Sequence, residues 1–395
     1  MSATARLDEV CSVIMGQAPK GSAYNTSGEG WPLIAGAGDF RDGRPAPKKY
    51  TTEASKLSRA GDVILGIRAS IGAKILSDGE YCLGRGVAAL RAGADVDSRF
   101  LWNWLAFSAP ALAAKGRGAT FKQVNREDIG EMPFPVLKLE DQRRIARLLD
   151  HVQALRTKRR RTVACLDTLA QSVFHDMFGD PRANPHGWPT DSLAGLADSD
   201  DRINYGVIQP GDDVPGGVPL VRVGDLLDGR VDRSAIKTID PLIEAKYARS
   251  RLRGSEILVG CVGSIGSVAL VSESDIGSNV ARAVARIPIS SEPLREYLAE
   301  HLRTTSVQRY FVGELRTVAQ PTLNIKQITE TTVMVPPVEL QEEFASRMVA
   351  IRRHKQAQVR HLSLLYALFA SLEHRAFRGE LWPDGGSAGG EGAAA

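Results

Sequence analysis

The sequence contains no run of about 18 apolar residues that could cross a bilayer, and its opening MSATARLDEV lacks the apolar stretch of a secretory signal. A cytoplasmic protein with no membrane contact is the expectation. Cysteine is scarce: Cys11, Cys82, Cys165 and Cys261 lie far apart and form no C-x-x-C pair, which excludes a local zinc or redox motif and points to reduced, mostly buried thiols. No metal site can be assembled from them. No Gly-Lys pair exists, so the phosphate-cradling P-loop is absent, and with it ATP hydrolysis by this chain. The polar residue, Pro-Pro and aromatic of an adenine methyltransferase are missing too, because Pro336 and Pro337 stand between Val335 and Val338, neither of which can hydrogen-bond an amino group. Nor does charge of one sign dominate. A net charge of +4 tolerates a polyanionic partner without announcing one, and 43% hydrophobic residues over 395 positions suit a chain of two packed domains.

What is present is a duplication. Residues 61–76, GDVILGIRASIGAKIL, correspond to 255–270, SEILVGCVGSIGSVAL, at an offset of 194, with a Ser-Ile-Gly step in each. Downstream, Asn125, Ile129, Gln142, Leu169, Ser172, His175 and Phe178 pair with Asn324, Ile328, Gln341, Leu368, Ser371, His374 and Phe377, all at an offset of 199. A drift of five residues is what one loop insertion gives, since surface loops absorb length changes and packed elements do not.

Each copy has the same order of elements. Branched apolar segments bounded by Gly, Asp and Ser predict strands over 63–67, 71–76 and 87–90, then 257–261, 268–271 and 281–287. Helices follow over 100–115 and 294–312, then loops ending at Asn125 and Asn324, then proline-bearing stretches at Pro133 and Pro135 or Pro336 and Pro337. Residues 139–178 run on without Pro or Gly, and Ile145, Leu148, Val152, Leu155, Leu166, Leu169 and Val173 fall on one pattern of alternating three and four whose middle positions are Arg159 and Thr162. A comparable stripe over 338–377 contains Phe344, Met348, Ile351, Val359, Leu362, Tyr366 and Phe369. At about 1.5 Å per residue each helix would reach on the order of 60 Å, and neither could bury its stripe alone. The predicted fold is therefore mixed α/β (α+β), with two similar globular domains separated by two long antiparallel coiled-coil helices and an internal pseudo-twofold repeat. Its parts are a first domain over 1–135, a central helix over 136–180, a second domain over 181–335 entered through the turn-rich 179–192, a pairing helix over 336–380, and a low-complexity, disordered tail over 381–395.

Chemistry-bearing patterns are weak. Glu244 and Lys246 have the Glu-x-Lys spacing of a metal-dependent nuclease, with Asp225, Asp228 or Asp232 as upstream ligands, yet the first copy has nothing to match. His175 and His374 recur without a second ligand at metal spacing, the basic run 158–161 suits a solvated face, and the glycines of LIAGAGDF read as turn residues.

Residues 132–180 resemble the central region of Type I restriction-modification DNA specificity subunits: a proline-rich approach, a Glu-x-Gln step at Glu140 and Gln142, and a long helix ending in Phe174-x-x-x-Phe178. Pro336, Pro337, Glu339 and Gln341 repeat the approach in the second copy. The resemblance implies a chain that binds a split double-stranded DNA target, scaffolds two modification subunits and is joined by translocating nuclease subunits. On that resemblance it does no chemistry itself. S-adenosylmethionine, ATP and Mg then belong to the partners, and this chain needs no cofactor. Each domain would read half the target in the major groove, with phosphate contacts positioning it. Candidate DNA contacts are Lys48, Lys49, Arg68, Arg85, Arg117 and Lys122 in the first domain, and Arg222, Lys246, Arg253, Arg282, Arg316 and Gln320 in the second. A nuclease built on Glu244 and Lys246, or an adaptor that binds no DNA, are the competing readings.

Overall fold

The computed structural model describes residues 3–118, 121–315 and 321–381, so the tail from 382 onward, Arg316 and Gln320 lie outside the described residues. Two compact units result, one formed by Met1–Arg159 with His361–Ala395 and one by Arg160–Arg360. Two 40-residue helices, Leu139–Phe178 and Val338–Phe377, span the ranges their uninterrupted sequences predict, and each contributes a segment to both units.

In the first unit Cys11–Met15, Val87–Ala92, Val63–Gly66 and Lys74–Leu76 form an antiparallel sheet in that order. A second sheet joins Cys82–Leu83, Trp31–Ile34, Lys49–Thr51 and Tyr24–Asn25. Helix Ser98–Ala114 starts where the Asp97 side chain accepts from the Arg99 and Phe100 amides, and it buries Phe100, Leu101 and Trp104 against Phe134. Ile145 and Leu149 of the first long helix and Ala376 and Phe377 of the second complete this core. Phe377 lies 5.5 Å, ring to ring, from Phe100.

The second unit repeats the plan around a six-stranded sheet whose centre is Val284–Pro288, Glu256–Gly260 and Val268–Leu270. Here Phe174 and Phe178 pack on Tyr297 and Phe344. The single helix expected over 294–312 is instead two, Glu292–Arg303 and Thr305–Gly313. Thr304 takes extended backbone angles between them, and its hydroxyl donates to the His301 carbonyl. The strand expected to begin at Ile71 begins at Lys74, because Gly72, at φ 90°, turns the chain first.

Within each unit the two long-helix segments run antiparallel. In the first unit the Arg156 guanidinium lies over Tyr366 and Phe369, 4.2 and 4.4 Å from the ring centres; in the second, Lys355 reaches Asp167 at 2.6 Å. Of the expected seam, Ile145, Val152, Phe344 and Met348 are buried, while Leu148, Leu155, Leu166, Ile351, Leu362 and Phe369 are half-buried. Leu169 is a correction: it is 44% exposed, whereas Leu149, which the pattern skipped, is buried. A strict heptad drifts about 20° per repeat against a straight helix, so positions extrapolated along it rotate outward. The retained glutamines have a clear task. Gln142 donates to the Leu137 carbonyl at 2.9 Å and Gln341 to that of Pro336 at 2.8 Å, each satisfying a carbonyl just ahead of its helix.

His301 is fully buried against Phe174 and Tyr297, neither ring nitrogen finds a partner among the described residues, and burial pushes its pKa from 6.5 down to about 4. The unfolded ring takes up a proton near pH 6.5 and the folded ring only near 4. Stability should therefore be full above pH 6.5 and decline by about 3 kcal/mol as pH falls through that window. Urea melts across pH 4–7 should show this fall flattened in His301→Leu; an unchanged slope would count against it.

Candidate nucleic-acid interface

Three loops of the first unit meet at one end of its first sheet, where Val63–Gly66 finishes and Val87–Ala92 begins. The turn at 66–72 is tied to the loop before Asn125 by the Ala69 amide donating to the Lys122 carbonyl at 3.0 Å, and the Arg68 guanidinium donates to Gln123 Oε1 from Nε at 2.7 Å and Nη2 at 2.5 Å. The third loop, 84–86, carries Arg85. Its backbone is held on both sides, by the Gly84 amide donating to the Ile34 carbonyl at 2.8 Å and the Gly86 carbonyl accepting from the Ile67 amide at 2.9 Å. Arg68 and Arg85 thus border one open concavity of about 400 Å³, together with Tyr24, Gly36 and Gly38.

The second unit holds Arg282 in the same way. The Ala281 amide donates to the Val221 carbonyl at 2.9 Å and the Ala283 carbonyl accepts from the Cys261 amide at 2.8 Å. Arg85 and Arg282 are therefore one position of the duplication, an exposed arginine on a loop pinned at two points, and neither makes a salt bridge among the described residues. A cation so placed is held out to solvent by backbone bonds on which it does not itself depend.

The remaining candidates divide. Lys48, Lys49, Lys122 and Lys246 are exposed, with Lys49 opposite Leu33 on the strand that leads to Gly36. Arg117 is bound to Asp128 at 2.9 Å, Arg222 to Asp225 at 2.9 Å, and Arg253 to Asp201 at 3.3 Å, so each already has an intramolecular partner. Arg253 belongs with a different group. Arg286, wholly buried, pairs with Asp201 at 2.6 Å and with buried Glu256 at 2.9 Å. The first unit keeps the carboxylate as Asp62, but its guanidinium comes from Arg91, two positions further along the neighbouring strand, at 2.7 Å. A two-residue shift leaves the side chain on the same face. Sequence reasoning also passed over Phe121, 69% exposed beside Lys122; an aromatic in a polar glycine-rich loop was the available signal.

The nuclease reading fails on geometry. Glu244 is buried, and its carboxylate accepts from Arg251 Nε at 2.9 Å, Arg251 Nη2 at 2.6 Å and Asn279 Nδ2 at 3.0 Å. The Arg251 bond in particular holds its pKa below the usual carboxylate range. Of its supposed co-ligands, Asp225 is taken by Arg222 and Asp232 accepts from the Ser234 amide at 3.1 Å. The described residues contain no helix long and apolar enough to cross a membrane.

The family model for the Type I restriction modification DNA specificity domain matches twice, over residues 2–163 and 195–360. The chain belongs to this family. The two matches fall on the two copies of the duplication. The EcoBI specificity subunit of Escherichia coli is 28% identical over 95% of this chain and 85% of its own length. In three dimensions the S subunit of a Type I system from M. genitalium aligns at a TM-score of 0.57, with 15% identity, over 95% of this chain and 96% of its own. A chain described with complex assembly and conformational transition of the type I R-M system aligns at 0.59, with 19% identity, over 96% and 98%. At those identities the structural likeness speaks to fold.

Proposed function

We propose that this chain is the sequence-reading, non-catalytic subunit of a Type I restriction-modification complex, in which each unit reads one half of a bipartite double-stranded DNA target. The observation that carries this is the duplicated, pinned arginine, Arg85 and Arg282, in a chain of the specificity family. Arginine on a rigid loop is the side chain best suited to a bidentate contact with guanine in the major groove. Two modification subunits would bind, and restriction subunits join them, with S-adenosylmethionine, ATP and Mg carried by those partners in the cytoplasm. Support for two equivalent partners comes from exposed positions. Leu169 and Leu368 are 44% and 46% exposed, and Ser172 and Ser371, His175 and His374 are exposed too, yet each pair keeps its identity across the two copies. Packing does not explain identity at solvent-facing positions; a partner bound twice does.

The test is co-expression with a modification subunit, weighing of the assembled complex, and mapping of methylated adenines. Two modification subunits per chain and a split target are expected. Arg85→Ala and Arg282→Ala should each lower methylation about 10- to 100-fold, the size of a lost bidentate base contact, and relax opposite halves of the target. Relaxation of the same half by both variants would contradict the assignment of one half to each unit.

A further inference from the structure

We propose that the turn at residues 35–38 in the first unit is where the sugar-phosphate backbone of one DNA strand lies against bare main chain, an assignment that rests on the DNA-reading role above. The argument begins with two kinds of glycine around the concavity. Gly84 and Gly86 are demanded by the fold, since a Cβ at Gly84 would stand 2.8 Å from the Ala35 Cα and one at Gly86 would stand 2.3 Å from the Ala35 oxygen. Gly36 and Gly38 are not. A Cβ on either would meet nothing within 4 Å, Gly36 has φ −178°, ordinary extended backbone, and Gly38 is not among the positive-φ residues.

Neither packing nor conformation accounts for these two glycines, and glycine carries an entropic cost when a chain is ordered. A ligand that must come close to the main chain does account for them. The same wall carries Arg68, oriented by Gln123, and Arg85. An anionic, extended ligand fits Arg68, with Arg85 beside it left for the base edge, and a phosphodiester strand is the anion that the role supplies. The second unit has diverged at this point. Its shorter turn places Val223 between Arg222 and Gly224, and the Val223 side chain reaches to 4.0 Å of where a Gly263 Cβ would be. Gly224 still stands where Gly38 does, before the matching aspartate, and a Cβ there would also meet nothing within 4 Å, so only the Gly36 position is peculiar to the first unit.

The experiment uses the full chain assembled with modification subunits, titrated with a duplex bearing its mapped target over a series of salt concentrations. Gly36→Val and Gly38→Val should leave the melting temperature unchanged and weaken binding tenfold or more, with the log-affinity against log-salt slope shallower by about 1. Gly86→Val, which the fold forbids, should instead lower the melting temperature. If both turn variants bind as tightly as the parent, the assignment is wrong while the DNA-reading role stands. If they lower the melting temperature, the glycines serve the fold and the assignment again falls. Relaxed preference at one base pair with undiminished affinity would replace the strand backbone with a base edge. An assembled parent complex that binds no DNA would overturn the DNA-reading role itself.

Discussion

Phe377→Ala, at the end of helix Val338–Phe377, should loosen the amino-terminal unit and leave the other one intact. The ring is almost wholly buried, edge-on to Phe100 at 5.5 Å and tilted on Phe107 at 5.1 Å, in the core formed with Leu101, Trp104 and Ile145. Removing it leaves a cavity in a cluster whose other members are held by the sheet and by Ser98–Ala114, so collapse is limited and the cost is about 3–5 kcal/mol. Hydrogen exchange resolves the effect by region. Protection should fall in Val63–Gly66 and Val87–Ala92 and persist in Glu256–Gly260 and Val284–Pro288. Phe178→Ala, its counterpart beside Tyr297 and Phe344, should give the mirror result. Equal loss in both units from either variant would show that the two cores do not open separately.

The second large effect is expected at Arg286. Its guanidinium is fully buried and holds two carboxylates, Asp201 with bonds of 2.9 and 2.6 Å and Glu256 with bonds of 3.1 and 2.9 Å. Glu256, itself fully buried, also accepts the Arg253 and Gly254 amides at 2.7 and 2.8 Å. Arg286→Ala would leave the Glu256 charge buried without its counterion, which costs about 3–5 kcal/mol. Adding Glu256→Leu to Arg286→Met removes both buried charges, and Asp201 keeps Arg253 at 3.3 Å. The double variant should then be more stable than Arg286→Ala, because replacing a whole buried pair is often close to neutral. Urea midpoints of the three proteins decide it. A single variant within 1 kcal/mol of the parent, or a double variant less stable than the single, would contradict the account.

Most of the fold was legible because the duplication supplies its own alignment. Strand segments, the loop ends at Asn125 and Asn324 and both 40-residue helices could be placed by comparing one copy with the other, but not the short helices Arg126–Gly130 and Ile325–Thr329 that begin there. What escaped were features that need three dimensions. A seven-residue rule rotates slowly off a straight helix and so points Leu169 inward, and no Pro or Gly marks the break at Thr304. At the interface, the candidate arginines could be listed but not ranked. Side chains bound to their own carboxylates, as at Arg117, Arg222 and Arg253, look in sequence like Arg85 and Arg282, which are not. The ranking comes from backbone bonds between residues such as Ala281 and Val221, sixty positions apart. Gly36 and Gly38 look in sequence like any turn glycines for the same reason, since only space around an absent side chain separates an optional glycine from an obligatory one.

The placement of Phe377 bears on how the chain comes off the ribosome. Every segment of the second unit, Arg160–Arg360, has been made before the helix that supplies Ala376 and Phe377 is finished. The amino-terminal sheets are translated first, yet their core stays unfilled until the final turn of that helix emerges, so the unit begun earliest is the one completed last. During that wait its apolar face, with Phe100 and Trp104 at the centre, is the surface a chaperone would meet.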